Sequence, residues 1–160
     1  MNITIDIANE TIDFDISEVS SFKEFFYLFF CFRNNGSKRV QFNNLKFSYS
    51  FSASNEEIFS NSYPEVGNAG YVSSDQEFLE SDSIYNLRPD VEYTIKVFVE
   101  NNGSSYSSSV SFNMPKPKKP YDSWIWNKEL ALWDPPFFPP EDGNSYVWHE
   151  KKNTWILEVL

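Results

Sequence analysis

The chain has one cysteine, Cys31, and one histidine, His149, in 160 residues. A single cysteine excludes an intrachain disulfide. Cys31 stands inside "FFYLFFCF", where a buried apolar thiol is the natural expectation. A lone histidine means that any Ser-His-Asp or Cys-His arrangement must use His149, which is far along the chain from Cys31. There is no Gly-rich phosphate loop, no paired-cysteine metal motif and no His-x-x-x-His. Carboxylate pairs such as Glu56 with Glu57, or Glu80 with Asp82, have the chemistry of a glycosidase or a calcium site. With 23 Asp and Glu in the chain, however, such pairs are expected on any solvated surface. The reading is a non-enzymatic protein with no cofactor and no metal.

Basic residues are also scarce: 13 Lys and Arg against 23 Asp and Glu, a formal charge of -10. A phosphate backbone would be repelled unless the few cations clustered on one face. The only basic runs, "SKRV" at Ser37 to Val40 and "KPKK" at Lys116 to Lys119, read as solvated turns or linkers, so no nucleic-acid partner is expected. Before Arg33 the longest uncharged stretch is Phe25 to Phe32, eight residues, against the roughly 20 that a helix needs to cross a bilayer. This stretch reads as a core element and implies no membrane insertion. "MNITIDIANE" has neither a positive n-region nor an apolar h-region, so a chain made in a cytosol and kept reduced there is expected.

What the chain does have is aromatic: 16 Phe, 9 Tyr and 5 Trp, 19% of the residues. Together with Ser, Thr and Asn they favour strands and turns, and the fold class read from them is all-β. "NITIDIA" and "TIDFDIS" put Ile3, Ile5 and Ile7, then Ile12, Phe14 and Ile16, on one face, the period of half-buried strands. "FKEFFYLFFCFRNNG" also fits a helical stripe through Phe22, Phe25, Phe26, Phe29 and Phe30. Its short length and closing "NNG" favour a strand. "RVQF" and "LKFSYSFS" follow, with Leu45, Phe47, Tyr49 and Phe51 alternating with polar residues. The stretch 55–75 is polar and turn-rich and reads as surface loop with at most a short edge strand. Three further strands are expected, around Phe78 to Leu87, Val91 to Val99 and Tyr106 to Phe112.

Leu87, Pro89 and Tyr93, followed by Asn102 and Gly103, resemble the closing strands of fibronectin type III and related immunoglobulin-like domains. In those domains a Leu-x-Pro turn precedes a Tyr that opens the penultimate strand. The resemblance covers roughly 40 residues and implies an immunoglobulin-like β-sandwich in which the Tyr93 hydroxyl bonds back to the upstream backbone. The first 114 residues contain no Trp, so the buried Trp of the usual second-sheet strand is absent and the Phe cluster at Phe25 to Phe32 is expected to fill its volume. "MPKPKKP", Met114 to Pro120, reads as a stiff extended linker. The expected organisation is a sandwich over 1–114, a proline-rich linker at 115–120 and a small Trp/Pro-rich double-hairpin module at 121–160.

In that tail Trp126 and Trp133 are separated by six residues, as are Trp148 and Trp155, and the second pair repeats the first 22 residues later. Six residues suffice for two strand ends and a tight turn, so each half reads as a hairpin that brings its Trp pair together. A lone hairpin is marginal in water. The intervening "DPPFFPPEDG", with Phe137 and Phe138 between proline pairs, is expected to fold back over the indoles. "EDGNSYVWHEKKNTW" is similar to the latter half of a WW domain, but the opening Trp strand and the closing Pro are missing in register.

The whole tail, "PYDSWIWNKELALWDPPFFPPEDGNSYVWHEKKNTWILE", resembles a C-terminal module found in structural proteins of marine tailed bacteriophages, cyanophages especially. The matching residues are Pro120, Tyr121, Ser123, Trp124, Trp133, Pro135, Pro136, Asp142, Gly143, Tyr146, Trp148, Glu150 and Trp155. The resemblance covers the last 40 residues. It implies a virion component assembled in the host cytoplasm, such as a tail, baseplate or fibre protein or a capsid decoration. Its partners would be other virion proteins and symmetric copies of itself. The partner-binding residues expected are Tyr121, Trp124, Trp126, Trp133, Phe137, Phe138, Tyr146, Trp148 and Trp155, since large aromatics dominate interface hot spots. The rival is a carbohydrate-binding adhesin that touches host-surface glycan through Trp124, Tyr63, Tyr71 or Tyr121. A WW-type adaptor for proline ligands is the third class.

Overall fold

The computed structural model describes residues 1–38, 40–42, 45–54, 56–63, 70–72 and 77–159, with backbone alone at 41–42, 70–72 and 77–80. The chain forms two compact units, Met1–Pro115 and Lys116–Leu160. Both are all-β. The strands are β1 Asn2–Asp6, β2 Thr11–Asp15, β3 Phe26–Arg33, β4 Val40–Phe42, β5 Lys46–Ala53, β6 Glu56–Tyr63, β7 Gly70–Val72, β8 Glu77–Ile84, β9 Glu92–Asn101 and β10 Ser104–Asn113 in the first unit. The second unit holds β11 Ile125–Asn127, β12 Leu132–Asp134, β13 Tyr146–His149 and β14 Thr154–Leu157. Among the described residues no helix is long and apolar enough to cross a membrane.

The first unit is built on two four-stranded sheets, ordered β2-β1-β3-β8 and β10-β9-β5-β6, with β4 and β7 as a separate pair. The two sheets pack face to face through one aromatic core, an arrangement compatible with a β-sandwich. Alternation selects what enters that core. On β3 the residues Phe26, Leu28, Phe30 and Phe32 are buried, while Tyr27 and Phe29 point the other way. A helix would have buried Phe25 and Phe29 together with Phe26; both are exposed. From the facing sheet come Phe47, Tyr49 and Phe51 of β5 and Ile95, Val97 and Val99 of β9, all buried. Phe30 meets Phe47 at 4.9 Å and Tyr49 at 5.1 Å between ring centroids, within the range in which aromatic pairs attract beyond simple burial. Phe and Tyr rings fill this core without a tryptophan.

Two details fix the ends of the strands. Tyr93 is buried, stacks on Phe51 at 5.2 Å, and its hydroxyl accepts the backbone N–H of Arg88 at 2.8 Å. Asn102 and Gly103, at φ 50° and 80°, turn β9 into β10, the left-handed pair that a two-residue hairpin requires. At the other end of the first sheet the buried Asp6 carboxylate accepts from the backbone N–H groups of Ala8, Asn9 and Asn35 and from the Asn9 amide. Burial pushes this carboxyl up, yet the Asn9 and Asn35 bonds outweigh it and hold it below the usual range. The "NNG" turn follows: Gly36 passes so close to Ala8 that a Cβ there would lie 2.9 Å from the alanine methyl.

The structure departs from the sequence reading in three places. Cys31 is half-buried on the outer face of β3, because the inward positions of that strand fall to Phe30 and Phe32. The stretch read as loop with at most a short edge strand contains an eight-residue edge strand, β6, paired with β5 along its length, and the short β7. An edge strand needs only one partner and so shows no hydrophobic alternation; residues 64–69 and 73–76 of that stretch lie outside the described set. Asp82, read as solvated surface, instead clasps the open edges of the two sheets. It accepts from Tyr49 Oη at 2.6 Å, Asn61 Nδ2 at 2.8 Å and Tyr63 Oη at 3.2 Å. Burial and this bond push the Tyr49 hydroxyl far above the ordinary phenol range.

Candidate attachment surface

In the second unit Trp126 lies directly opposite Trp133, and Trp148 opposite Trp155. The two pairs have the same geometry: centroids 5.2 Å apart at 68° in the first, 5.3 Å apart at 71° in the second. The turns match as well. Each hairpin has a four-residue loop, 128–131 or 150–153, whose last residue is left-handed, Ala131 at φ 55° and Asn153 at φ 48°. Each loop is also bonded by the side chain that enters it, Asn127 Oδ1 accepting from Leu130 N and His149 Nδ1 from Lys152 N. The sole histidine therefore acts as a turn cap. Among the described residues no group of three or more His, Cys, Asp or Glu could hold a metal ion.

The rings join into one run: Tyr121 on Trp124, Trp124 on Trp155, Trp155 on Trp148 and Phe137 on Trp148. Phe137 also ties the proline segment down through its carbonyl, which accepts Trp155 Nε1 at 2.8 Å. Trp126 and Trp133 form a second cluster, roofed by the ammonium groups of Lys116 and Lys119, each 5.4 Å from a ring centroid. Trp133 Nε1 donates to the Pro117 carbonyl at 2.9 Å. Residues 116–119, read as linker, thus pack within the second unit, because cation–π attraction and this bond hold them on the first hairpin. Buried indole N–H groups of Trp124 and Trp126 have no acceptor among the described residues.

Glu150 organises the second hairpin. Its carboxylate accepts Trp148 Nε1 at 2.7 Å and the backbone N–H and hydroxyl of Ser123, both at 2.8 Å. The indole bond, with the Ser123 bonds, holds the Glu150 carboxyl below its ordinary value. A carboxyl lowered in the folded state contributes stability that is full above its unfolded value and is lost as pH falls through the folded one. All five tryptophans belong to this unit, so indole emission reports on it alone. Emission should shift to the red as pH drops below about 4.5, the ordinary value of this carboxyl. In Glu150→Gln the acid-side step should shrink to the part owed to Asp142, whose carboxyl the Tyr146 bond also holds low; an unchanged acid transition in that variant would remove Glu150 from this role.

The aromatics expected to grip a partner are thus largely occupied with one another. Trp148 is buried, and Tyr121, Trp124, Trp126, Trp133, Tyr146 and Trp155 are half-buried. Tyr146 also spends its hydroxyl on Asp142 at 2.7 Å. Phe137 and Phe138 remain exposed. What the hairpins turn outward is aliphatic: Ile125, Leu130 and Leu132 on the first, Val147, Ile156 and Leu157 on the second. Val147 faces Ile156 across the ladder, on the side opposite the Trp pair, beside a shallow cleft of about 240 Å³ lined also by His149 and Leu157. The signal for these residues was in the sequence, since period-two alternation puts Ile125, Val147 and Ile156 on the reverse face of strands whose Trp face is covered. Of the other aromatics weighed for sugar binding, Tyr63 stacks on Phe47 at 4.4 Å and is used in packing, and the side chain of Tyr71 lies outside the described set. Compared with known proteins, the chain matches no family model, no curated protein and no solved structure.

Proposed function

We propose that this chain is a non-enzymatic structural protein of a phage virion, a tail, baseplate or fibre component or a capsid decoration, that acts by protein–protein attachment through its second unit. In this reading the first unit is an immunoglobulin-like spacer. The bond from Arg88 N to the Tyr93 hydroxyl, beside buried Leu87 and Pro89, supports that assignment. The virion setting rests on the resemblance of the tail.

The observation that carries attachment is the exposed aliphatic side chains on the reverse faces of the two hairpins, with Ile125 68% and Val147 46% exposed in a unit whose tryptophans are turned inward. Val147 and Ile156 form an exposed apolar pair across one ladder, and exposed apolar surface rimmed by polar residues marks interaction sites. Light scattering of the full chain beside a variant carrying Ile125→Asp, Val147→Asp and Ile156→Asp tests the reading. The native chain should run as a multimer and the variant as a monomer, with unchanged indole emission showing that the unit is intact. A native chain that is monomeric at high concentration, or a variant that assembles equally well, would defeat the reading.

A further inference from the structure

A second surface, on the first unit, has a different chemistry. Because β3 sends Phe26, Leu28, Phe30 and Phe32 into the core, its alternate residues stand on the outer face of the sheet. Phe25, Tyr27 and Phe29 are 44%, 54% and 43% exposed, and Tyr85, just beyond β8, is 60% exposed. Exposed aromatics scattered singly need no explanation; these four touch. Phe25 meets Tyr85 at 5.9 Å and Tyr27 at 5.5 Å, and Tyr27 meets Phe29 at 6.2 Å. Two of the steps are within 31° and 36° of parallel, while the step between Phe25 and Tyr27 is edge-on at 81°. The strip is therefore a bent platform of two near-parallel pairs, Phe25 with Tyr85 and Tyr27 with Phe29.

Hydrogen-bonding groups border it on both sides. The register places Asn2 of β1 next to Phe29, with Asp15 of β2 beyond, and sets Ser81 and Ser83 of β8 opposite Phe29 and Tyr27. At the Phe25 end a cleft of about 450 Å³ is lined by Glu18, Lys23 and Glu24 together with Phe25 and Tyr27, a volume in the range of small-ligand sites.

We infer that this face binds a neutral, linear oligosaccharide whose ring C–H faces lie on Phe25, Tyr27, Phe29 and Tyr85 while its hydroxyls bond to the flanking amide, hydroxyl and carboxylate groups. A sugar presents both halves of that chemistry at once, an apolar ring face and a rim of hydroxyls. An apolar peptide segment would cover the rings and leave the flanking Ser81 and Ser83 hydroxyls without partners, at a cost. A second copy of this face is disfavoured by charge, because Asp13, Asp15 and Glu24 are exposed around the strip and outnumber Lys23 of the cleft, and like charges brought together oppose docking. The same carboxylates exclude anionic ligands. A chain of sugar rings that turns from one residue to the next can lay successive rings on the two pairs, and β-linked glucose or N-acetylglucosamine, with equatorial substituents, offers an open C–H face at every ring.

Calorimetric titration of the full chain with cellohexaose and with chitohexaose tests this. At least one should bind. Tyr27→Ala should weaken it about tenfold, equivalent to about 1.4 kcal/mol, and Tyr85→Ala should weaken it severalfold. Tyr27→Phe, which keeps the ring, should stay within about threefold of the native chain, a change under roughly 0.7 kcal/mol. Both alanine positions are on the surface, and an unchanged thermal melt should show that the fold is kept. The inference is overturned if neither sugar binds at millimolar concentration, or if both alanine variants bind like the native chain. Loss of binding in Trp124→Ala alone would move the site to the second unit. A fall in oligomeric mass in Tyr27→Ala without any effect on sugar would assign the face to a second copy.

Discussion

Replacing Trp148 by alanine should unfold the second unit. Among its described residues Trp148 alone is fully buried, at 3% exposure. It holds Trp155 on one side and Phe137 on the other, and donates to Glu150. Truncating a buried Trp to Ala costs about 3–5 kcal/mol. A unit as short as Lys116–Leu160 rarely has more than about 3–5 kcal/mol in total. The loss therefore matches the whole stability of the unit rather than a fraction of it. Near-ultraviolet dichroism of the indoles should collapse, and the emission of the four remaining tryptophans should move to the wavelength of solvated indole. Trp148→Phe keeps a ring against Trp155 and Phe137 and loses the bond to Glu150, so it should fall between the two. A Trp148→Ala protein that keeps its near-ultraviolet signal would show that the hairpins stand without this centre.

In the first unit the largest effect is expected at Phe47. Its ring stacks on Tyr63 at 4.4 Å and 4°, and meets Phe30 at 4.9 Å and Phe32 at 5.2 Å. It thereby joins β5 both to the edge strand β6 and to β3 of the facing sheet. Phe47→Ala should cost about 3–5 kcal/mol, the lost transfer energy plus a cavity that stiff neighbouring rings cannot close. That is a large part of the roughly 5–15 kcal/mol of a typical domain, and should lower the melting temperature by roughly 10–20 °C. Phe47→Leu, closer in volume, should cost under about 1.5 kcal/mol. Far-ultraviolet dichroism is the appropriate probe, because indole emission does not see this unit. Equal melting temperatures for the alanine and leucine variants would show that the site collapses around the gap.

Both predictions rest on positions that alternation makes readable. Leu45, Phe47, Tyr49 and Phe51 alternate with Lys46, Ser48 and Ser50, so the buried face of β5 could be named from the sequence, and the same holds for Ile3 and Ile5 of β1. The turn at Asn102 and Gly103 was readable because few residues other than these accept positive φ at low cost. β3 was harder. "FFYLFFCF" is apolar at nearly every position, so its period is hidden, and neither the outward aromatics nor the outward Cys31 could be separated from the core residues. The length of β6 was missed because its two faces are both largely exposed, and an edge strand held by backbone bonds to one neighbour has no side-chain pattern to betray it.

Composition and short-range pattern by themselves determined the all-β class, the inward residues of β1 and β5, the place of β9, and the pairing distance of the tail tryptophans, because each depends on chain geometry over a few residues. Only the tertiary structure decided that β1 runs parallel to β3 and antiparallel to β2. It alone decided that Asp82 joins two sheet edges, that Tyr121 and Trp124 run on to Trp155 of the second hairpin, and that Phe25, Tyr27, Phe29 and Tyr85 meet as one exposed strip. Those outcomes depend on which distant segments become neighbours, and that is settled by how the whole set of apolar faces can be covered at once.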